Sequence, residues 1–467
     1  GQNTAHQQKK INIDQRIAFA KKCQINLTQE QMASAEFYRP DSNSQEMRYI
    51  LEKRKRLGGF IPQRTSDLPT IKMPDQIDYF ESLNKTKPRA TSSTSAVVKI
   101  INKLSKEASI GKYIVPIVPD EARTFGLETV FRGLGIYSQE GQNYTPVDID
   151  TLTPYKEIKN GQVLQEGICE TGAMSSFMAA GTAYSIHNIP MIPFYLFYSM
   201  FGFQRVGDLI WACGDMLCKG FLLGGTAGRT TLNGEGLQHQ DGHSHVIAET
   251  VPNLKSYDPA FDYELVAIIF DGIEKMFVQK QNIFYYITVY NQKYEMPVLP
   301  SLELKKDINK GGYCLRETEA KNKYIDTINI LASGPMVIEA LNAERTLIEM
   351  GFSVNIFSIT SFNELYRDAL EAEHNENLTP HIEILFKEKT GVFIAITDYQ
   401  KSLALKIAKW IKEPLIALGT DGFGLSETRE NSRNYFKVSS KSIIQASIKA
   451  AIKKGKITNQ EAQDLEA

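Results

Sequence analysis

The chain has 467 residues, of which 53 are Lys or Arg and 54 are Asp or Glu, so its formal net charge is −1. This balance excludes a global electrostatic field that would attract nucleic acid or an anionic membrane. With 42% hydrophobic and 23% charged residues, the composition is that of a globular protein and excludes wholesale disorder. At roughly 100–200 residues per domain, the length predicts several domains.

The longest strongly apolar run covers residues 191–203. A membrane-spanning helix needs about 20 apolar residues, so no span is predicted. The cysteines number five and are spread along the chain, which favours a reducing compartment over a disulfide scaffold. Cys213 and Cys218 lack the CxxC spacing and are predicted to be buried apolar side chains. Because the sequence opens at Gly1, we expect a processed, cut or partial chain.

Residues 1–90 are polar and weakly periodic, with basic residues at positions 9–10 and 53–56. The second basic run is interpreted as a solvated helix face, because no aromatic residues are interleaved with it as in a nucleic-acid surface. The segment LNKTKPRATSSTS is interpreted as a linker and helix cap. The apolar spacing that follows predicts a helix through Val97, Ile100, Ile101 and Leu104.

Short apolar runs then alternate with helical segments. Strands are predicted at residues 112–118, 191–197, 283–290 and 328–334, and in the runs SVNIFSIT, VFIAITDY and PLIALGTDGFG. Helices are predicted at residues 167–185, 335–350, 401–411 and 440–454. Apolar strands that alternate with helices indicate sheets covered on both faces. We therefore predict an α/β fold with two parallel or mixed-sheet domains in series.

Functional loops in such sheets lie at the carboxyl ends of strands. The strand at residues 112–118 ends in PDEAR, which places Asp120 and Glu121 next to Arg123 at the exit of the strand. The pattern fits either a functional site or a surface turn with a local salt bridge.

Glu170 lies in the segment GICETGAMSSFMAAGTAYS. The residues that follow it at helical spacing are apolar or small, namely Ala173, Met174, Phe177 and Met178. Its carboxyl is therefore predicted to be packed among them near the start of a helix. Burial raises the pKa of a carboxyl group, as a proton-transfer residue near neutral pH requires. The alternative is a buried structural glutamate held by a partner elsewhere in the chain.

The segment GLQHQDGHSH contains His239, His243 and His245, three of the seven histidines. One helical turn separates the first two, which is compatible with zinc. Gly242 interrupts the helix that such a site would need, so loop histidines in acid/base work or hydrogen bonding are the favoured interpretation.

Other motifs are incomplete. GGTAGRTT lacks the Lys and the glycine spacing of a phosphate loop, and GxGxxG after a strand, GxSxG and HExxH are not found. The run FYLFYSMFGF is predicted to be a core strand, with Tyr198 and Phe201 past its end and able to line a pocket.

Five long motifs carry a specific resemblance. VPDEARTFGLETVFRGLGIYS, QEGICETGAM, PMIPFYLFYSMFGFQRVGDLIWACGD, GGTAGRTTLNGEGLQHQDGHSH and GTDGFGLSETREN resemble the homodimeric, bacterial-type pyruvate dehydrogenases, the thiamine-diphosphate-dependent first component of the pyruvate dehydrogenase complex. The resemblance covers almost the whole chain and implies the carboxyl-terminal half of a longer polypeptide. It implies the end of a diphosphate-binding domain with a mobile loop and linker at residues 1–70. A pyrimidine-binding domain at 71–305 and a transketolase-like carboxyl-terminal domain at 306–467 would follow.

The resemblance also implies residue roles. Glu170 matches the glutamate that hydrogen-bonds a ring nitrogen of the cofactor's aminopyrimidine and favours the tautomer that activates the thiazolium carbon. That carbon attacks a 2-oxo acid, and the thiazolium ring is the electron sink for loss of carbon dioxide. The implied catalytic residues are Glu170, Glu235, His239 and His6, the last on the mobile loop. The implied cofactor-binding residues are Glu170, Tyr198, Phe201, Arg205, Asp120 and Glu121.

The implied cofactors are thiamine diphosphate and Mg²⁺. The family's diphosphate motif, GDG followed by paired asparagines, is not in this sequence. We therefore expect the ligands of the metal and diphosphate on the amino-terminal half, predict no metal ligand here, and expect this chain to be inactive alone. Gln240 also stands where the family has an acidic residue beside the histidine, which changes the charge expected near His239.

The implied reaction is oxidative decarboxylation of pyruvate with transfer of the acetyl group to a lipoyl group. The implied partners are a second copy of the same protein, and the lipoyl domain and core of the dihydrolipoyl acetyltransferase. Nucleic acid and membrane are not expected partners, and the expected location is the bacterial cytoplasm. Three alternatives stay open: a transketolase, a 2-oxoglutarate dehydrogenase, and a non-catalytic module for dimerisation or partner docking.

Overall fold

The computed structural model describes residues 10–60, 67–83, 89–119, 126, 133–147, 155–321, 324–375 and 377–466. The chain divides into two compact units, Gly1–Arg64 and Thr65–Ala467. The described part of the first unit contains helices α1 Ile13–Lys22, α2 Gln29–Ser34 and α3 Gln45–Arg56. The basic residues 53–56 form the last turn of α3 and are largely exposed. Positive charge at the carboxyl end of a helix interacts favourably with the helix dipole. The prediction of a solvated helix face is confirmed.

The second unit alternates strands and helices. Its described helices are α4 Ile77–Leu83, α5 Ser93–Leu104, α6 Glu170–Gly181, α7 Ala183–His187, α8 Ser199–Asp215, α9 Ser244–Ala248, α10 Asp262–Ile273, α11 Lys305–Lys310, α12 Met336–Glu349, α13 Phe362–Glu373, α14 His381–Leu385, α15 Lys401–Leu405, α16 Arg429–Phe436, α17 Ser440–Lys453 and α18 Asn459–Glu466. Its described strands are β1 Arg89–Thr91, β2 Ile114–Val118, β3 Ile136–Tyr137, β4 Glu157–Ile158, β5 Leu164–Gln165, β6 Ile192–Tyr198, β7 Phe221–Gly225, β8 Leu254–Tyr257, β9 Phe284–Thr288, β10 Tyr294–Met296, β11 Tyr313–Thr318, β12 Thr327–Ala332, β13 Ser353–Ser358, β14 Val392–Ile396 and β15 Leu415–Leu418.

The first large sheet of this unit is parallel throughout its described strands, in the order β5-β2-β6-β7-β9-β8. Strands β7 and β9 are buried at every position, because helices cover both faces of the sheet. The carboxyl ends of β2, β6 and β7 are neighbours. The loops and helix starts that follow these strands are therefore brought to one edge.

The second large sheet is mixed, in the order β11-β13-β12-β14-β15. Strand β11 pairs antiparallel with β13, whereas the other pairs are parallel. The predicted class, two parallel or mixed-sheet α/β domains in series, is confirmed.

Buried carboxylates join the two sheets. Asp258 follows β8 and accepts hydrogen bonds from the hydroxyls of Thr288 at 2.8 Å, Ser333 at 2.8 Å and Tyr290. Burial raises the pKa of Asp258 to about 6, against the effect of these donors. Glu264 of α10 accepts from Tyr313 and Ser358 at 2.8 and 2.7 Å. Since Ser333, Tyr313 and Ser358 belong to the second sheet and its loops, both carboxylates fix one domain against the other.

Most predicted elements are present, with adjusted ends. The helix predicted at 167–185 is divided at Thr182 into α6 and α7. The helix predicted at 401–411 was wrong in length, because α15 ends at Leu405 and a separate 3-10 turn follows at Ala408–Trp410. Cys213 and Cys218 are buried as predicted. Among the described residues no helix is both long and apolar enough to cross a bilayer.

Candidate functional site

Glu170 is the first residue of α6, at the edge where β2, β6 and β7 end. The stripe that follows it is buried at Ala173, Met174 and Phe177, as the spacing predicted. The Glu170 side chain is itself largely shielded from solvent, and its carboxylate is paired with a cation. It accepts a hydrogen bond from Nη1 of Arg205 on α8, at 2.5 Å, and its side chain is 14% exposed. Arg205, whose side chain is exposed, is therefore the partner that the alternative of a structural glutamate requires.

Two aromatic rings adjoin this ion pair. Tyr198 ends β6 and Phe201 lies in the first turn of α8, with ring centroids 5.9 Å apart. The guanidinium carbon of Arg205 lies 4.0 Å from the centroid of the Phe201 ring, within range of a cation–π contact. Arg205 thus contacts both Glu170 and Phe201. Both rings are half-buried, and Tyr198 packs against the hydrophobic core while part of it stays accessible to solvent.

His239 joins the cluster from the loop after β7. Its ring centroid is 5.2 Å from that of Tyr198 and 4.9 Å from that of Phe201, in edge-on contacts. Its Nδ1 lies 3.9 Å from the Glu235 carboxylate. That nitrogen is buried and has no hydrogen-bond partner among the described residues. A buried, unsatisfied nitrogen is costly unless a ligand or water binds it.

The three histidines of this segment have different neighbours. His243 pairs with Gln204 at 3.0 Å, whereas His245 contacts the Thr288 hydroxyl at 2.9 Å. Burial lowers the pKa of His245 to about 4, so it is neutral at physiological pH. No group of three His, Cys, Asp or Glu side chains suited to a metal ion occurs in the part of the chain that the structure describes. Hydrogen bonding by loop histidines, the interpretation favoured from the sequence, is what His243 and His245 show.

Six of the predicted site residues are therefore brought to one place, namely Glu170, Tyr198, Phe201, Arg205, Glu235 and His239. Asp120, Glu121 and His6 lie outside the described residues. Gln240, which replaces the expected acidic residue, is buried; its Oε1 accepts from the Leu425 backbone at 2.6 Å. Gln240 therefore joins the loop after β7 to the backbone at Leu425, and it places no charge beside His239.

Sequence reasoning missed Arg429 of α16. Its guanidinium donates to Thr231 O and to Asn233 Oδ1, both at 2.9 Å. Together with Glu235 and Asn291 it lines a small polar cavity of about 130 Å³ next to the cluster. The segment GLSETREN contained the arginine, but only the folding of two distant segments onto each other reveals this contact.

Comparisons with known proteins agree with these observations. Residues 71–297 match the family model of the pyruvate dehydrogenase E1 component middle domain. Residues 311–439 match the transketolase-like carboxyl-terminal domain. Among curated proteins, the chain is 46% identical over 464 residues to the pyruvate dehydrogenase E1 component of Pseudomonas aeruginosa, covering 97% of this chain and 52% of that protein. It is 41% identical over 474 residues to that of Escherichia coli, covering 99% of this chain and 53% of that protein.

Among solved structures, transketolase from Leishmania mexicana has a TM-score of 0.60 at 12% identity, covering 95% of this chain and 55% of that one. A chain titled as an inactive split-gene transketolase tetramer has a TM-score of 0.50 at 15% identity, covering 77% of this chain and 98% of that one. At such identities these likenesses show the fold alone. The chain spans about half the length of the curated relatives it matches.

Proposed function

Because this chain belongs to the pyruvate dehydrogenase E1 family, we propose that it provides the pyrimidine-side half of a thiamine-diphosphate site. The proposed reaction is the oxidative decarboxylation of pyruvate, with transfer of the acetyl group to a lipoyl group. The observation that carries this proposal is the convergence of Glu170, the rings of Tyr198 and Phe201, and the unsatisfied Nδ1 of His239. The named relatives favour pyruvate over other 2-oxo acids.

The donor set suits an aminopyrimidine ring. A carboxyl group can exchange a proton with a ring nitrogen, and half-buried aromatic rings offer flat surfaces for a heterocycle. When bound, thiamine diphosphate supplies a nucleophilic carbon and an electron sink for decarboxylation. We propose that Glu170 forms the carboxyl–nitrogen hydrogen bond, and that Tyr198 and Phe201 contact the ring. Asp120 and Glu121 are proposed to line the same cavity.

The protein's own proton chemistry follows from the neighbouring groups. Arg205 donates to the Glu170 carboxylate through its Nη1, so a ring nitrogen bound there would compete with this guanidinium for the same oxygen. His239 and Glu235 are proposed to exchange a proton at Nδ1, the histidine nitrogen nearest that carboxylate. His6 is proposed to assist transfer to the lipoyl group.

The rest of the site and the assembly are proposals of the same kind. Residues 71–305 are assigned to pyrimidine binding, residues 306–467 to the transketolase-like domain, and residues 1–70 to the end of a diphosphate-binding domain. Mg²⁺ and the diphosphate would be held outside this sequence, so we expect the chain alone to be inactive. A second copy and the dihydrolipoyl acetyltransferase are the proposed partners, in a bacterial cytoplasm.

The test uses the full-length protein with thiamine diphosphate and Mg²⁺, and measures pyruvate-dependent dye reduction. Glu170→Gln should lower kcat by about 10²–10⁴-fold, the range for loss of a general acid or base. Glu295→Gln, at an exposed carboxylate of β10, is the control and should keep wild-type turnover. Wild-type turnover by Glu170→Gln, or faster conversion of 2-oxoglutarate or a ketose phosphate than of pyruvate, would contradict the proposal.

A further inference from the structure

The loop from the end of β7 to the start of α9, residues 226–243, is defined here as the site loop. It contains Glu235 and His239, but it has little regular structure beyond one 3-10 turn at Leu237–His239. Residues 226–232 are buried, whereas residues 233–239 are partly or fully exposed. The positions of Glu235 and His239 therefore depend on what fixes the buried part of the loop.

The buried part of the site loop encloses a carboxylate from the carboxyl-terminal domain. Asp398, two residues after β14, is fully buried. One carboxylate oxygen accepts from the backbone N–H of Thr230 at 2.9 Å and from its hydroxyl at 2.7 Å. The other accepts from the backbone N–H and hydroxyl of Thr231 at 2.9 and 2.6 Å. The segment GGTAGRTT, which resembles a phosphate-binding loop in sequence, thus binds the Asp398 carboxylate of its own chain.

Glycine permits this close approach. Gly228 has φ +87°, and a Cβ at this position would lie 2.3 Å from Oδ2 of Asp398. Such a contact is sterically forbidden, and the backbone conformation itself favours glycine. The close approach of the site loop to the Asp398 carboxylate therefore requires glycine at position 228.

Further bonds from the carboxyl-terminal domain reach the buried and the exposed part of the site loop. Arg229 donates to the backbone oxygen of Thr420 at 2.8 Å. The Leu237 backbone N–H, two residues before His239, donates to the Ser426 hydroxyl at 2.9 Å. Because the described contacts that order Thr230, Thr231 and Leu237 come largely from residues 398–429, the carboxyl-terminal domain determines where the site loop lies.

We propose that Asp398 is a positioning residue for Glu235 and His239, acting through Thr230 and Thr231. The proposal rests on the proposed function, which places Glu235 and His239 in the active site. Replacing one carboxylate oxygen by an amide NH2 removes the acceptor from one N–H and one O–H donor and places a donor against them. The separation of 3.9 Å between Nδ1 of His239 and the Glu235 carboxylate is then no longer enforced.

The test compares three variants of the full-length protein. Asp398→Asn replaces an acceptor by an amide nitrogen, and Thr230→Val removes one hydroxyl while leaving three donors. Thr360→Val is the matched control, because Thr360 is equally buried and its hydroxyl donates to Ile308 O at 2.6 Å, away from the site loop. Two quantities are measured: hydrogen exchange of peptides within residues 226–243, and the pH dependence of kcat and KM for pyruvate.

We expect Asp398→Asn to lower kcat by about 10- to 100-fold, the range for small displacements of catalytic groups, with KM little changed and the pH profile shifted. Exchange in the site loop should rise. Thr230→Val should act in the same direction with a smaller effect, and Thr360→Val should leave both quantities as in the wild type.

A folded Asp398→Asn protein with unchanged kcat, pH profile and exchange would overturn the proposal. Faster exchange without any change in kcat or pH profile would also overturn it, because Asp398 would then order the loop without positioning Glu235 and His239 for the reaction. If Asp398→Asn does not fold, Thr230→Val decides by the same criteria. If the wild type does not convert pyruvate, the proposed function fails, and hydrogen exchange alone decides whether Asp398 orders the site loop.

Discussion

The buried carboxyl of Asp258 predicts a specific pH dependence of stability. Its pKa is raised from 3.8 to about 6 by burial, so the folded protein retains this proton to higher pH than the unfolded chain does. Between pH 3.8 and 6 the unfolded carboxyl ionises first, and the free energy of unfolding falls as the pH rises. Above pH 6 the folded state contains a buried charge at a cost of about 3 kcal/mol, since one pKa unit corresponds to 1.36 kcal/mol.

Asp258→Asn tests this reasoning because asparagine is neutral at every pH in the range. Between pH 4.5 and pH 7, the free energy of unfolding of the variant relative to the wild type should rise by about 2 kcal/mol, or 1.5 pKa units. Urea denaturation followed by tryptophan fluorescence measures both proteins at both pH values. Asp464→Asn, at an exposed carboxyl of α18, is the control and should show no such change.

A variant-to-wild-type difference that stays constant within about 0.5 kcal/mol between the two pH values would refute the argument. It would mean that the hydroxyls of Thr288, Tyr290 and Ser333 compensate the carboxylate for its lost hydration. The pKa of Asp258 would then lie near its ordinary value.

Two further predictions concern stability at neutral pH. Phe177→Ala in α6, where the ring is fully buried, should lower the free energy of unfolding by about 3–5 kcal/mol; a urea-denaturation loss below about 1 kcal/mol would contradict the assigned packing. Arg433→Met should cost about 3–5 kcal/mol, because it strands the buried Glu339 carboxylate bonded to it at 2.8 Å. The double variant with Glu339→Leu should recover much of that loss, and a double variant as unstable as the single one would contradict this.

The sequence predicted elements well where the apolar pattern was simple. The continuous apolar run at 191–197 became β6, and the helical spacing from Val97 to Leu104 became α5. Strand β11 was not predicted, because it is an edge strand in which Arg316, Glu317 and Thr318 interrupt the apolar pattern. Strand β7 was not predicted either. It ends in two glycines, which are typical of a loop, and its strand conformation depends on pairing with β6 and β9.

Within the candidate site, local pattern located Glu170, Tyr198 and Phe201 at or near the ends of elements and singled out His239 in a histidine cluster. The family resemblance added Arg205 and Glu235. The ion pair between Arg205 and Glu170 joins residues 35 positions apart, a separation at which periodicity carries no information. The apolar stripe beside Glu170 did not reveal the cation that pairs with its carboxylate for the same reason, since Arg205 comes from a different helix.

The enclosure of Asp398 by Thr230 and Thr231 has a consequence for synthesis. The bond between Thr230 and Asp398 spans 168 residues of sequence. At about 5–20 residues per second, the ribosome delivers Asp398 on the order of 10–30 s after the threonines. During that interval a cavity formed by two threonine amides and two hydroxyls has no anion inside it, although the first sheet can already be paired. The candidate site is therefore completed late, and a chain truncated before residue 398 would retain Glu235 and His239 without the carboxylate that orders their loop.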